Sequence, residues 1–378
     1  MENSKGKSHH RKFNTEKSFL FLLNFLIILP AVIIACATNR DKFQYTGHDK
    51  FRIAFGSCSN QNKPQPVLER VVEIKPDLFI YLGDNVYNTS FSVKTLRACY
   101  KKLGEKNEFI ALKRSVPILP VWDDHDYGWN DMGNDYPYRE ESKKIFLEFF
   151  GVPDRSILRH KGIYYSRMFH HGYRTIQVIM LDLRTFRDPL LPYNNDRDDD
   201  KRFSYKMDYS PHIEPGPTMM GEKQWKWFER QLLREADLRI IASSTQFGIT
   251  YNGYEAWANF PHEQQKMIDL IKKTRAEGVL FISGDAHYAE ISVLTADNIY
   301  PLYDITSSGI TSRIKFATPN DNRIDGPFLD NNFGLIEFNV NMPDPEIRME
   351  IIDAAGIIRI SRLIKLSSLA FSRANLFH

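Results

Sequence analysis

Residues 77–87, DLFIYLGDNVY, contain the pattern from which the fold class can be inferred. A short apolar run from Leu78 to Leu82 is followed at once by a glycine and an aspartate. An apolar run of this length, bounded by a turn, is typical of a buried strand. Asp84 would then lie at the carboxyl end of that strand, where ligands bind in open α/β sheets. The stretch therefore predicts a buried strand with a polar residue at its functional end.

The same arrangement recurs along the chain. Strand-like apolar runs occupy residues 51–58, 77–84, 116–124, 174–184, 238–247 and 278–287. Helical periodicity lies between several of them, as in GEKQWKWFERQLLRE, where Trp225, Phe228 and Leu232 share one face. After residue 290 the pattern changes to strands and turns. This alternation predicts an α/β protein, and residues 48–366 are expected to form a single domain because neither a repeat nor a linker divides them.

The charge of the chain argues against a nucleic-acid-binding surface. The 378 residues carry 50 basic and 47 acidic side chains, a net charge of +3. Residues 1–35 contain five basic and two acidic residues, which alone gives +3, so the remainder is close to neutral. Nucleic-acid binding needs clustered, uncompensated Lys and Arg. We therefore expect no partner of that kind.

The N-terminal residues resemble an export signal. A basic start precedes FLFLLNFLIILPAVIIACAT, residues 19–38, which is nearly all apolar. The run ends in Ile33-Ile34-Ala35-Cys36, which resembles the lipobox of bacterial lipoproteins, where cleavage before the cysteine exposes it to lipidation. A membrane anchor with an incidental cysteine is the alternative. Residues 1–36 are thus expected to be a signal peptide or anchor, and the body to be extracytoplasmic and membrane-associated.

Two further cysteines, Cys58 and Cys99, lie in the body. In an oxidising compartment a disulfide between them is one interpretation. Cys58, however, ends a strand-like run, and Cys99 falls on the amphipathic stretch TLRACYKKL. These positions favour a functional thiol and a core residue, respectively.

At least four strand-like runs end in residues that can bind metals. These residues are Cys58, Asp84, Asp124 with His125, and Asp285 with His287. Adjacent carboxylates at a strand end are costly to bury without a cation. Carboxylates suit Ca²⁺, Mg²⁺ or Mn²⁺, whereas a thiolate and a phenolate such as that of Tyr87 favour ferric iron or zinc. The mixed set indicates two metals of different character, an arrangement that suits phosphoester hydrolysis.

The ordered motifs GSC, GDNVY, WDDHD and GDAH, at residues 56–58, 83–87, 122–126 and 284–287, resemble the PhoD-type alkaline phosphatases and phosphodiesterases. This family is a branch of the calcineurin-like and purple-acid-phosphatase-related metallophosphoesterases. LDLRTFR (181–187), MMGEKQWKWFERQL (219–232), STQFG (244–248) and SSGIT (307–311) extend the resemblance over residues 51–312. It implies a four-layer αββα sandwich and hydrolysis of phosphate esters.

The resemblance also implies a role for each site residue. Ferric iron would be bound by Cys58, Asp84, Tyr87 and His287, and Asp84 would bridge to calcium bound by Asp124, Asn130 and Asp285. Mn²⁺, Mg²⁺ or Zn²⁺ could replace these ions. His125 would act as general acid or electrostatic stabiliser. Arg184 would contact the phosphate or form a structural salt bridge. Gln246 falls where the wider superfamily has a histidine.

The function expected from the sequence is that of a secreted, membrane-tethered, metal-dependent phosphoesterase. Its substrate would be a phosphomonoester or a phosphodiester. The alternative is a surface lipoprotein that retains a structural metal site and binds a ligand or partner without catalysis. A broken ligand set would favour that alternative, and none of the predicted ligands is missing from its motif.

Overall fold

The computed structural model describes residues 49–151, 153–194 and 205–372. The predicted signal peptide or anchor at residues 1–36, including Cys36, lies outside these ranges. Among the described residues, no helix has the length and apolar character needed to cross a bilayer.

The strands, in chain order, are β1 (Lys50–Gly56), β2 (Leu78–Leu82), β3 (Ile118–Val121), β4 (Tyr165–His171), β5 (Arg174–Met180), β6 (Leu191–Pro192), β7 (Tyr209–Ser210), β8 (Leu238–Ser243), β9 (Val279–Ser283), β10 (Ala289–Leu294), β11 (Leu302–Ser307), β12 (Arg323–Phe328), β13 (Asn332–Asn339), β14 (Glu346–Asp353) and β15 (Ile358–Lys365). The helices are α1 (Pro66–Ile74), α2 (Val93–Gly104), α3 (Asn107–Ser115), α4 (Asp124–Tyr127), α5 (Arg139–Phe150), α6 (Gly221–Leu232) and α7 (Pro261–Thr274). Single 3₁₀ turns cover Arg155–Arg159, Trp257–Asn259 and Leu366–Leu369.

Within the described residues, two large mixed sheets form the centre of the fold. The first has six strands in the order β15–β14–β13–β1–β2–β3, and the second has seven in the order β12–β10–β11–β9–β8–β5–β4. Strands β1, β2 and β3 are parallel, as are β5, β8, β9 and β11. The strands β2, β8 and β9 are buried along their whole length, as expected for parallel strands that are covered on both faces.

The helices cover the outer faces of the two sheets. Helices α1, α2 and α3 connect the parallel strands β1, β2 and β3, and α5 packs against α2. Helices α6 and α7 connect β5, β8 and β9 and pack against each other. The inner faces of the sheets meet where β11 faces β13 and β2 faces β8, around one continuous apolar core. The predicted αββα sandwich is therefore confirmed.

The carboxyl ends of the parallel strands of both sheets meet at one edge of this sandwich. Backbone hydrogen bonds join the two sheets there, from Ile310 N to Ser57 O at 3.1 Å and from Thr311 N to Cys58 O at 3.1 Å. The turns that follow β1, β2, β3, β8, β9 and β11 are thus brought together, and they contain most of the predicted site residues.

Candidate metal centre

Three overlapping groups of side chains at this edge have the spacing of metal ligands. They are Cys58, Asp84 and His287; Asp84, Asp124 and His125; and Asp123, Asp124 and Asp285. Within each group, one potential ligand atom from every residue lies within 4.8 Å of the others. Asp84 belongs to the first two groups and Asp124 to the last two. The three groups therefore form a continuous row of ligands. Asp84 and Asp124 each lie between two neighbouring positions for a metal ion.

The backbone at these turns is held in an unusual conformation. Cys58, Asp84, Asp285 and His287 have φ angles of 61°, 49°, 68° and 62°, in the left-handed region that non-glycine residues rarely adopt. Such a conformation costs on the order of 1–3 kcal/mol per residue and is found mostly at functional sites, where the surrounding structure imposes it. Four of the predicted ligands share this conformation.

The glycines that precede two of these aspartates are needed for the close contact between strands. Gly83 has φ +98°, and a β-carbon there would lie 2.4 Å from Cβ of Asp123. At Gly284 a β-carbon would lie 2.6 Å from Oγ of Ser57 and 2.9 Å from the carbonyl oxygen of Ser244. These distances are too short for any other residue. Both GD pairs therefore allow neighbouring turns to approach closely enough to share ligands.

The first group combines a sulfur, a carboxylate and an imidazole. Cys58 Sγ lies 3.7 Å from Asp84 Oδ2 and 3.1 Å from Ser308 Oγ. The Tyr87 hydroxyl lies 3.1 Å from His287 Nε2, which places the phenol beside the group. Burial raises the pKa of the Cys58 thiol to about 12, and burial followed by the charge of His125 lowers the pKa of His287 to about 4. The imidazole is therefore neutral, and the thiolate would need a cation to form.

The other two groups are rich in carboxylates, and among the described residues only Asp123 of these groups forms an ion pair, with Arg184. Burial, followed by the negative charge of Asp124, raises the pKa of Asp84 well above its usual value. Burial and the charge of Asp123 do the same for Asp285, whose carboxylate accepts no hydrogen bond from any described residue. The Oδ2 atom of Asp123 is also buried without a hydrogen-bond partner. Buried charges of this kind are normally paired or bind metals, so the residues fit divalent cations.

His125 is positioned by the carboxylates around it. Its backbone N–H donates to Asp124 Oδ1 at 2.9 Å and to Asp84 Oδ1 at 3.3 Å. The imidazole packs against the ring of Tyr87, with 4.4 Å between ring centroids. Its Nδ1 atom has no hydrogen-bond partner among the described residues. The ring is thus held beside the row of ligands by its own backbone and by Tyr87.

Arg184 is buried in an ion-pair network behind the metal groups. Its Nε donates to Asp123 Oδ1 at 2.6 Å, and its Nη1 donates to both oxygens of Glu255 at 2.8 and 2.9 Å. Arg187 Nε lies 3.2 Å from the same Glu255. The Arg184 side chain is 0% exposed. Of its two predicted roles, the structure shows the salt bridge; a contact with phosphate stays a prediction.

Asn130 and Gln246 lie beside the metal groups. Asn130 is exposed, and its amide donates to Asp131 Oδ2 at 2.8 Å. Gln246 is buried, and its amide donates to Thr306 Oγ1 at 3.0 Å and to Glu290 Oε1 at 3.2 Å. Both residues line a pocket of about 250 Å³ that also contains Asp285 and His287. Metal binding by Asn130 stays a prediction.

Two residues of the site did not emerge from the sequence. The backbone N–H of Asp131 donates to Asp124 Oδ2 at 2.8 Å, and its carboxylate accepts a hydrogen bond from the Tyr209 hydroxyl at 2.5 Å. Glu255 is the shared partner of the two arginines of LDLRTFR. Both acids lie in irregular segments without periodicity. In the sequence, the close spacing of Arg184 and Arg187 was the one signal that could have indicated an acidic partner.

The fold and the row of ligands define a metallophosphoesterase-type protein. The family model for PhoD-like phosphatases matches residues 53–320, and the chain therefore belongs to the PhoD-like phosphatase family. Over 297 residues it is 22% identical to alkaline phosphatase D of Bacillus subtilis (strain 168). The match covers 68% of this chain and 48% of that protein. The chain thus spans about half the length of this curated relative.

Solved structures with a similar fold include PhoD, a dimetal phosphatase and GAP50. The structure of PhoD matches with a TM-score of 0.62 and 17% identity, covering 86% of this chain and 73% of that one. A dimetal phosphatase from Danio rerio matches with a TM-score of 0.52 and 10% identity, covering 85% and 99%. GAP50, the anchor in the inner membrane complex of Plasmodium, matches with a TM-score of 0.53 and 13% identity, covering 86% and 90%. These likenesses concern the fold alone.

Proposed function

We propose that this protein is a metal-dependent phosphoesterase that hydrolyses phosphate esters. The observation that carries the proposal is the position of Asp84, which is shared between a group containing sulfur and imidazole and a group containing carboxylates. A carboxylate in this position can bridge two cations. When bound, two metal ions supply neutralisation of the phosphate charge and an acidified water molecule as nucleophile. Membership of the PhoD-like phosphatase family supports a phosphoester as the substrate.

The donor types suggest how the metals are divided. Ferric iron would be held by Cys58, Asp84, Tyr87 and His287, because a thiolate and a phenolate favour it. Calcium would be held by Asp84, Asp124, Asn130 and Asp285, because hard oxygen ligands suit it. Mn²⁺, Mg²⁺ or Zn²⁺ are alternatives at either position. The pKa values of Asp84 and Asp285 are raised well above their usual value by burial and by neighbouring negative charge, which supports binding of a divalent cation by these carboxylates.

His125 would supply the proton to the leaving alkoxide. Its backbone N–H donates to Asp84 and Asp124, and its ring packs against Tyr87, so the imidazole lies beside the ligands. A positioned imidazole in a hydrolytic site acts as a general acid or base. Asp131 would orient Asp124 through its backbone N–H, and Arg184 would hold Asp123 in place.

The test is hydrolysis of p-nitrophenyl phosphate and of bis(p-nitrophenyl) phosphate by the full chain in mild detergent, with iron and calcium supplied. Asp84→Asn should reduce turnover by at least about a thousandfold, because both metals lose a shared ligand. Asp330→Asn, a change in an exposed surface ion pair, is the control and should leave turnover unchanged. Metal-loaded protein without turnover above the Asp84→Asn level would instead favour the non-catalytic lipoprotein.

We further propose that the protein is secreted and tethered to a membrane. The apolar run at residues 19–38 and the lipobox-like sequence that ends at Cys36 support this location. Expression in a bacterial host should place the chain in the membrane fraction, outside the cytoplasm. Cys36→Ala should prevent lipid attachment, detected by mass spectrometry as the absence of acyl-chain mass on the peptide that contains residue 36. A parent protein that stays in the membrane although its peptide with Cys36 has no acyl-chain mass would favour the anchor over the lipoprotein.

A further inference from the structure

A second large cavity lies apart from the metal centre. It has a volume of about 770 Å³, within the range of ligand-binding pockets. Its walls come from α5, from the segment around Arg155–Arg159, and from Tyr164, Phe186 and Lys223. None of the described residues that line it also lines the pocket beside Asp285 and His287. The cavity is therefore a separate place on the molecule.

The charge of this cavity is positive. Five basic side chains line it, and they are Lys143, Lys144, Arg159, Lys161 and Lys223, whereas the acidic side chains in its lining are Glu140 and Glu148. Glu148 is paired with Arg97, which is not part of the lining. Lys143 donates to the carbonyl oxygens of Ile157 and His160 and so connects two walls of the cavity, α5 and the segment around Arg155–Arg159.

The other four cations are exposed, and none forms an ion pair with a carboxylate in the described part of the chain. In a body that is close to neutral overall, this is a local concentration of uncompensated positive charge. Such a concentration favours a ligand with several anionic oxygens.

Apolar groups share the cavity with these charges. Leu147, Leu158, Tyr164 and Phe186 line it, and Leu158 is 63% exposed. The His160 ring lies flat on Tyr164, with ring centroids 3.9 Å apart and an interplanar angle of 6°. Tyr164 in turn packs on Trp227 at 4.7 Å. Tyr164 is buried in this stack, and the exposed apolar side chain of Leu158 with the half-buried Phe186 lies next to the cations. This arrangement fits a ligand that is anionic at one end and apolar at the other.

We propose that this cavity binds a phosphate-bearing group carried on an apolar moiety. The cations would contact the phosphate oxygens, and Leu158 and Phe186 would contact the apolar part. An acidic phospholipid and a free amphiphilic phosphoester present the same chemistry. This site is independent of the hydrolytic centre and does not depend on its proposed activity.

Binding is tested with butylphosphonate and methylphosphonate, whose carbon–phosphorus bonds resist hydrolysis. The full chain is used in nanodiscs of neutral lipid, with empty nanodiscs as the blank and calorimetry as the readout. Butylphosphonate should bind about fiftyfold more tightly than methylphosphonate, because three additional methylenes are buried. Equal affinities for the two probes would overturn the amphiphilic assignment.

The double variant Lys144→Glu/Lys161→Glu should weaken butylphosphonate binding by at least about tenfold, since each reversal replaces an attractive charge with a repulsive one. Lys144→Gln/Lys161→Gln should give an intermediate loss. Lys365→Glu is the control for a charge reversal elsewhere on the surface, because Lys365 is an exposed residue of β15 at the opposite edge of the first sheet from β3. None of these substitutions lies in the metal groups, so binding of the phosphonate there should be the same in all variants. A difference in affinity between variants therefore measures binding at the cavity.

Two further results complete the test. All variants should retain the parent's phosphoesterase turnover and unfolding midpoint, which shows that they are folded. If adding phosphatidylglycerol to the nanodiscs weakens butylphosphonate binding in the parent but not in the double variant, the ligand is a bilayer phospholipid. If it has no effect on the parent, the ligand is a free amphiphile. Butylphosphonate affinity that is unchanged in the double variant would overturn the proposal.

Discussion

Replacement of Arg184 by methionine should be among the most destabilising single changes in the body of this protein. Arg184 is 0% exposed, and its partners Asp123 and Glu255 are 1% and 3% exposed, with N···O distances of 2.6 and 2.8 Å. Removing one member of a buried ion pair costs about 3–5 kcal/mol, since the remaining charge is left buried without compensation. After the change, Asp123 would keep the Ser244 hydroxyl at 2.6 Å, and Glu255 would keep Arg187 at 3.2 Å. We therefore expect a loss of about 3–5 kcal/mol in the free energy of unfolding.

The measurement is urea unfolding of the metal-free protein at pH 7.5, with the free energy obtained by linear extrapolation. Arg97→Met is the matched control, because Arg97 forms an exposed pair with Glu148, and such pairs contribute about 0–1 kcal/mol. Adding Asp123→Asn to Arg184→Met should restore part of the loss, because it removes one of the uncompensated charges. A loss of less than about 1 kcal/mol, equal to that of Arg97→Met, would refute this reasoning.

Four other outcomes are expected. Gly284→Ala should lower metal content as well as stability, because its β-carbon would lie 2.6 Å from Ser57 Oγ and displace the turn that carries Asp285; full metal content by mass spectrometry would contradict this. With chelator present, the melting temperature should fall as the pH rises from about 4 through 6. Burial raises the pKa of Asp123 to about 6 and the pKa values of Asp84 and Asp285 well above their usual value, so the folded state binds these protons more tightly than the unfolded state, whose pKa is about 3.9. The lowered pKa of His287 acts in the opposite direction, but it is one group against three. Added metals should flatten this slope, and equal slopes would argue against cation binding by the carboxylates. A reducing agent should not change the melting temperature, since Cys58 and Cys99 are both free thiols; a drop of several degrees would indicate a disulfide. Tyr87→Phe should abolish any visible tyrosinate-to-iron absorption of the iron-loaded protein, and persistence of the band would exclude Tyr87 as its source.

Much of the fold could be predicted because its central strands are apolar and short. The run at residues 77–84 contains β2, and the run at residues 278–287 contains β9. In both cases the strand ends before the glycine, and the polar residues lie in the turn that follows. The edge strand β4, Tyr165–His171, was not predicted, because polar and apolar residues occur as adjacent pairs in YSRMFHH and do not give the alternation that is typical of a strand.

The site could be predicted only as far as its residues lie at strand ends. Cys58, Asp84 and Asp285 follow strands directly, so the fold alone places them at a common edge. Glu255 and Asp131 come from irregular segments, and their positions depend on tertiary contacts with Arg184, Arg187 and Tyr209. Left-handed φ angles and the close approach at Gly83 and Gly284 are likewise invisible in a single sequence.

The measurement that tests the central claim most directly is the metal content of the purified full chain, determined together with its turnover of bis(p-nitrophenyl) phosphate. If Asp84 bridges two cations, the parent should contain at least two metal ions per chain, and Asp84→Asn should lose metal and activity together. Asp330→Asn should retain both. A parent protein that turns over the substrate without bound metal, or an Asp84→Asn variant with full metal content and full turnover, would contradict the account.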